Sequence, residues 1–189
     1  ISEPNKKRCH IMNKEEIKRD CSFNIRVLDN FFSQTEFEEI NKLITQQKYG
    51  ALETIQKEYP TNHIWFSSLC DDKLKNLIKD TVTEKFKVKV INIPLCSYTL
   101  LSKVPPENYQ IHDDYETDWR NWQSIIFIKG DPALNSGIGF YNKDEKNKFN
   151  LTTHIGFYPN RMVFWKCNIW HAPLNFLDEF KTRYSIITQ

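Results

Sequence analysis

Three short clusters in the C-terminal half carry residue types that do chemistry together: His112-Asp113-Asp114, His171, and Arg183-Tyr184-Ser185. In an extended strand, residues two apart point to the same side. His112 and Asp114 therefore share a face, and Asp113 points away. With His171 they make up a 2-His-1-carboxylate set, a grouping that binds iron(II) on one side and leaves positions open for further ligands. Twelve residues past His171, Arg183 and Ser185 again share a strand face. A guanidinium and a hydroxyl aimed the same way suit a carboxylate, which arginine grips through two parallel hydrogen bonds. Each piece alone has a bland counterpart: a histidine beside an aspartate on an exposed loop, or an arginine in a surface ion pair. The order of the three clusters and their spacing are what set them apart from coincidence.

These clusters need strands to hold them, and the second half of the chain supplies strand-like text. From Val88 onward, β-branched and aromatic runs follow one another: Val88–Ile93, Leu95–Leu101, Tyr109–Asp114, Trp122–Ile128, Ile138–Tyr141, Leu151–Tyr158, Met162–Trp165 and Arg183–Thr188. Turn signals such as Pro105-Pro106, Gly130-Asp131-Pro132 and Pro159-Asn160 separate them. Upstream, Phe23–Phe32 reads as a strand. Ser33 with Glu36 forms a capping box before a helix that runs to about residue 48. Leu52–Tyr59 suggests another turn or two of helix. Asp71 or Asp72 caps a second helix, with Leu74, Leu77, Ile78, Val82 and Phe86 on one face. Helices first and many short strands afterwards predict an α+β domain whose sheets form a sandwich or jelly roll.

The chain is 189 residues long, with a net charge of +2, 40% hydrophobic and 14% aromatic residues. That length fits one domain, read as a flexible leader over 1–20 and a single domain over 21–189. Within the domain, 33–87 is helical support and 88–189 the jelly-roll core. No apolar run exceeds four residues, which excludes a membrane-spanning helix. The balanced charge disfavours nucleic acid as a partner. The leader's Lys6-Lys7-Arg8, Lys14, Lys18 and Arg19 read as solvated, and Lys85, Lys87 and Lys89 as a protected strand edge. Five cysteines without a C-x-x-C pair support neither a zinc ribbon nor a disulfide framework. With no apolar signal peptide, this predicts free thiols in a cytoplasmic or other intracellular compartment.

The pattern His112-x-Asp114, His171, Arg183-x-Ser185 resembles that of the iron(II)- and 2-oxoglutarate-dependent dioxygenases, in their prolyl-4-hydroxylase-like branch. Flanking text is similar too: Val27-Leu28-Asp29-Asn30-Phe31 before a helix, and Gly137-Ile138-Gly139-Phe140-Tyr141 as a small-residue hairpin. Pro159 through Trp165 then leads to Trp170-His171-Ala172-Pro173. The resemblance spans about residues 24–188. It implies a double-stranded β-helix core with flanking N-terminal helices, and metal ligation by His112, Asp114 and His171. It also implies that Arg183 and Ser185 hold the far carboxylate of 2-oxoglutarate, with Tyr98 and Tyr109 as candidate helpers. Iron(II), 2-oxoglutarate and O2 are the implied cofactors, with ascorbate as an auxiliary reductant. The implied reaction hydroxylates a C–H bond of a peptide, a prolyl residue included, or of a small molecule, with succinate and CO2 as co-products.

The chain departs from related patterns in informative ways. Asp114 argues against halogenation, because halogenase relatives lack that carboxylate. Gln189 stands where nucleic-acid demethylase relatives carry a second arginine. Lys103–Asn108 lacks the glycines common before the first ligand, which bears on the substrate entrance and on Tyr98. The different-class alternative is a non-catalytic jelly-roll binding module, for which four intact site residues have no use. Tyr115, Trp119, Arg120 and Trp122 read either as a substrate lid or as an exposed loop with one buried tryptophan. Trp170 is expected to pack away from the site, and His154 to be a hydrogen-bonded strand residue. Oligomeric state is left open.

Overall fold

The computed structural model describes residues 25–51, 65–101, 111–114, 122–175 and 182–189. Strand β1 (Ile25–Leu28) leads to helix α1 (Gln34–Ile44). The expected capping box is formed: the Glu36 backbone N–H donates to Ser33 Oγ, and the Ser33 N–H donates to Glu36 Oε2 at 2.9 Å. Two short strands, β2 (Gly50–Ala51) and β3 (Trp65–Leu69), precede helix α2 (Asp72–Phe86). Asp71 caps α2 by accepting from the Leu74 N–H at 2.8 Å. α2 buries Leu74, Ile78 and Val82 and stops at Lys87, whose φ of 55° is left-handed.

Seven strands follow: β4 (Cys96–Leu101), β5 (Trp122–Lys129), β6 (Ala133–Lys143), β7 (Phe149–Phe157), β8 (Arg161–Lys166), β9 (Trp170–Asn175) and β10 (Arg183–Thr188). They pair antiparallel in two sheets, β1-β8-β5-β10-β4-β3-β2 and β7-β6-β9. Successive strands repeatedly change sheet, so β5, β8 and β10 lie together although others intervene in sequence.

Alternation along β5, β8 and β10 sorts the core into two layers. Ile126, Ile128, Met162, Phe164 and Ile186 pack with Ile40, Ile44, Ile78 and Val82 of the helices. Ile125, Phe127, Val163 and Trp165 meet Ile138, Phe140 and Phe157 of the smaller sheet. Each fully buried side chain of this size contributes about 1.5–3 kcal/mol. Asn160 ties the layers together. Its backbone N–H donates to the Phe127 carbonyl at 2.7 Å, and its amide exchanges two hydrogen bonds with the Phe32 backbone.

Several expectations need correction. α1 ends at Ile44, near Thr45, rather than at about 48. Val88–Ile93 is not a strand, because the left-handed Lys87 turns the chain out of α2 and Lys79 Nζ holds the Ile91 carbonyl at 3.0 Å. Lys85 lies in α2, so the lysine edge strand does not exist. The segment read as helical support contains β2 and β3 as well. Gly137–Tyr141 does belong to a hairpin, as one arm of the β6–β7 pair; a Cβ on Gly137 would lie 2.0 Å from the Ile155 carbonyl oxygen. Residues 1–20 and Leu52–Tyr59 lie outside the described residues. Among the described residues, no helix is long and apolar enough to cross a membrane.

Candidate metal centre

His112 and His171 face each other as an isolated antiparallel bridge. The His112 N–H donates to the His171 carbonyl at 3.0 Å, the return bond is 2.8 Å, and the Asp114 N–H donates to the Cys167 carbonyl at 2.9 Å. These bonds hold His112 on the free side of β9 and Asp114 at the turn between β8 and β9. Two residues that the sequence separates by more than fifty positions are thus directly opposed. The rings stand 4.4 Å apart, and His171 Nε2 lies 3.6 Å from Asp114 Oδ2. One donor atom each from His112, Asp114 and His171 lies within 4.8 Å of the others, the one such His/Cys/Asp/Glu group among the described residues.

The donor chemistry fits a divalent transition metal. His171 Nδ1 sits 2.9 Å from the Ile169 carbonyl, so Nδ1 carries the proton and the Nε2 lone pair is presented to the cluster. Burial pushes the His171 pKa down to about 4, helped by the neighbouring His112 and opposed by the Ile169 carbonyl and Asp114. The ring is therefore neutral at pH 7, the form that ligates. Two imidazoles and one carboxylate, with no thiolate, suit iron(II).

Arg183 opens β10 with its side chain between the sheets, 3% exposed. Its Nη1 donates to Ser136 Oγ at 2.8 Å and to the Leu174 carbonyl at 2.9 Å, and the guanidinium lies over the Phe127 ring. Leu174 is three residues past His171 on β9, about 10 Å along the strand. Ser185 shares this inner face, since it pairs with Phe127 and Thr99.

Tyr98 does not join the site. It pairs with Ile186 and packs in the helix-side layer, on the face of β4–β10 opposite to Arg183 and Ser185. Burial, with Cys70, Asp71, Cys96 and Tyr49 around it, raises its phenol pKa above the ordinary value. The reason is parity: on β4 the inner face takes Ser97, Thr99 and Leu101. Trp122 is likewise no lid, lying flat on Phe164 at 4.7 Å in the helix-side layer. Tyr109, Tyr115, Trp119 and Arg120 lie outside the described residues. Trp170 packs against Phe149, away from the cluster, as its alternation with His171 predicts.

His154 is, as expected, a hydrogen-bonded strand residue: it lies on β7 and bonds to the Ser136 backbone, and its pKa is lowered by burial and by the charge of Arg183. Sequence reasoning passed over two inner-face residues, Trp165 and Gln123. Trp165 meets His171 edge-on, with ring centroids 5.1 Å apart. Gln123, 2% exposed, pairs with Trp165 across β5–β8. Their shared signal was parity with Ile125 and Phe127 on β5 and with Val163 on β8.

No family model matches this sequence, and no curated protein matches it. Solved structures do share its fold. A 2OG-Fe(II) oxygenase family oxidoreductase from Burkholderia pseudomallei superposes with a TM-score of 0.61 at 12% identity, over 96% of this chain and 91% of that one. A prolyl hydroxylase from Trichoplax adhaerens, in complex with a hypoxia inducible factor peptide fragment, gives 0.59 at 12% identity over 88% and 83%. HygX from Streptomyces hygroscopicus, with nickel, 2-oxoglutarate and hygromycin B bound, gives 0.59 at 8% identity over 94% and 86%. At such identities the likeness establishes the fold: antiparallel sheets with two helices, as in the 2OG-Fe(II) oxygenases.

Proposed function

We propose that this chain is an iron(II)- and 2-oxoglutarate-dependent dioxygenase that hydroxylates a C–H bond, with succinate and CO2 as co-products. The observation that carries it is the convergence of His112, Asp114 and His171 beside an inward-facing Arg183. We read the strand order β4-β10-β5-β8, facing β7-β6-β9 and residues 112–114, as a double-stranded β-helix. His112, Asp114 and His171 would hold iron(II), which when bound supplies oxygen activation coupled to decarboxylation of the 2-oxo acid. Arg183, supported by Ser136 and the Leu174 carbonyl and joined by Ser185, fixes the far carboxylate of 2-oxoglutarate. The apolar walls of Phe127, Phe140 and Trp165 keep water from the oxidising centre. Buried free thiols at Cys70, Cys96 and Cys167 suit a reducing, intracellular setting.

For the substrate, the prolyl-4-hydroxylase-like motifs favour a peptide, a prolyl residue included. The hygromycin B complex among the structural neighbours keeps a small molecule as the second reading. Adding iron(II) and 2-oxoglutarate without oxygen is expected to give a weak visible charge-transfer band, and admitting oxygen is expected to produce succinate slowly. Absence of both, with unchanged metal affinity in Asp114→Ala, overturns the proposal. A mass gain of one oxygen across panels of peptides and small molecules separates the two substrate readings.

A further inference from the structure

Two buried donors on the inner face of β5 and β8 have no acceptor among the described residues: Gln123 Nε2 and Trp165 Nε1. Both residues are nearly sealed from solvent, at 2% and 3% exposed. A buried N–H without a partner forfeits the hydrogen bonds it made to water, so two adjacent ones are unusual in a packed interior. They are direct cross-strand partners, whose side chains stand about 5 Å apart. Gln123 is oriented from its other end, where Oε1 accepts from Gln189 Nε2 at 3.4 Å. Trp165 abuts the metal-cluster residue His171 edge-on.

The two donors also stand apart from the Arg183 subsite. Arg183 lies over Phe127, four residues from Gln123 and so about 13 Å along β5. The inner face thus has a cationic end at Arg183 and a neutral-donor end beside His171. A ligand satisfying both ends needs a carboxylate at Arg183 and a second oxygen-rich group near the metal cluster.

We propose that Gln123 and Trp165 form a donor pair for a carboxylate oxygen at the metal-binding head of a 2-oxo acid; this rests on the function proposed above. In this role they are positioning residues. They hold the head group by neutral hydrogen bonds, leaving charge recognition to Arg183 at the opposite end.

The test uses the zinc-loaded protein, which does not turn over. Of the five tryptophan indole N–H signals in a proton–nitrogen correlation spectrum, the one lost in Trp165→Phe reports Trp165. It is expected to move downfield on adding 2-oxoglutarate. Gln123→Leu is expected to weaken 2-oxoglutarate binding about tenfold or more, with zinc affinity unchanged. Oxalate carries a chelating head without the far carboxylate. Gln123→Leu should weaken oxalate as much as 2-oxoglutarate, whereas Arg183→Met should weaken 2-oxoglutarate alone. An unmoved Trp165 signal and full-strength oxalate binding by Gln123→Leu overturn the donor pair while leaving the dioxygenase reading standing. Failure of the wild-type zinc protein to bind either acid overturns both. Should Trp165→Phe fail to fold, the Gln123→Leu titrations decide the matter.

Discussion

Replacing Arg183 by methionine separates what the residue does for the fold from the carboxylate-binding role that the proposed function gives it. Methionine keeps most of the length and apolar volume of the stem but removes the guanidinium. In the folded protein this leaves Ser136 Oγ and the Leu174 carbonyl without the donor that now reaches them at 2.8 and 2.9 Å. The hydroxyl can turn to another acceptor, whereas the carbonyl is fixed in β9, so the net loss is about one orphaned group, roughly 1–3 kcal/mol. The opposing gain is relief from keeping a charge in an interior position only 3% exposed. The expected result is a fall in Tm of no more than about 3–9 °C for a chain of this size.

The effect on the ligand is larger. Truncating one member of a buried, hydrogen-bonded charge pair costs about 2–5 kcal/mol, so the Kd for 2-oxoglutarate should rise by about 30-fold to a few thousand-fold. Metal affinity should not change, because Arg183 reaches β9 at Leu174, three residues from His171. Calorimetric titration of the zinc-loaded protein with 2-oxoglutarate, beside a zinc titration of the metal-free protein, gives both constants. Arg183→Lys keeps the charge but loses the paired geometry and should fall between. An unchanged 2-oxoglutarate Kd in a well-folded Arg183→Met protein refutes the carboxylate assignment.

Asp114→Ala should weaken iron(II) or zinc binding by at least about 10–100-fold, the loss typical for removing even an outer support of a metal ligand. Tyr98→Phe, on the opposite face of the sheet, should leave both metal and 2-oxoglutarate constants within twofold, and parallel titrations compare the two variants. Gly137→Ala meets the Ile155 carbonyl oxygen at a φ of 153° and should lose at least about 2 kcal/mol in urea denaturation, while also weakening 2-oxoglutarate through neighbouring Ser136. Burial holds the folded-state pKa of His171 at about 4, below the unfolded value near 6.5. Neutral His171 therefore contributes its full share of the metal-free protein's stability above about pH 6.5, and that share is lost as pH falls towards 4, because the unfolded chain takes up the proton first. Comparing wild type with His171→Gln across that range isolates the effect, and identical slopes would count against it.

Helix N-termini were readable because their determinants are local. Ser33 with Glu36, and Asp71 three residues before Leu74, satisfy backbone donors within a single turn. Strand existence was readable where β-branched and aromatic runs stand between turn signals, as in Trp122–Ile128 and Arg183–Thr188. It failed at Val88–Ile93, whose β-branched text has no strand beside it to supply hydrogen bonds, and at β3, which β4 recruits across a long sequence interval. Tyr98 shows a finer failure. Its type and neighbourhood suited the resemblance, but its parity on β4 points it at the helices, and parity becomes meaningful only once the inner face is known.

By itself the sequence determined the residue types of the metal cluster, their spacing and the sharing of one face by Arg183 and Ser185. Those properties follow from composition and from the two-residue period of a strand. Tertiary structure decided that His112 opposes His171, that Arg183 reaches β9 at Leu174, and that Gln123 and Trp165 stand together near the cluster. Each of these is a contact between distant segments, set by strand register and sheet order rather than by the chemistry of the residues that meet.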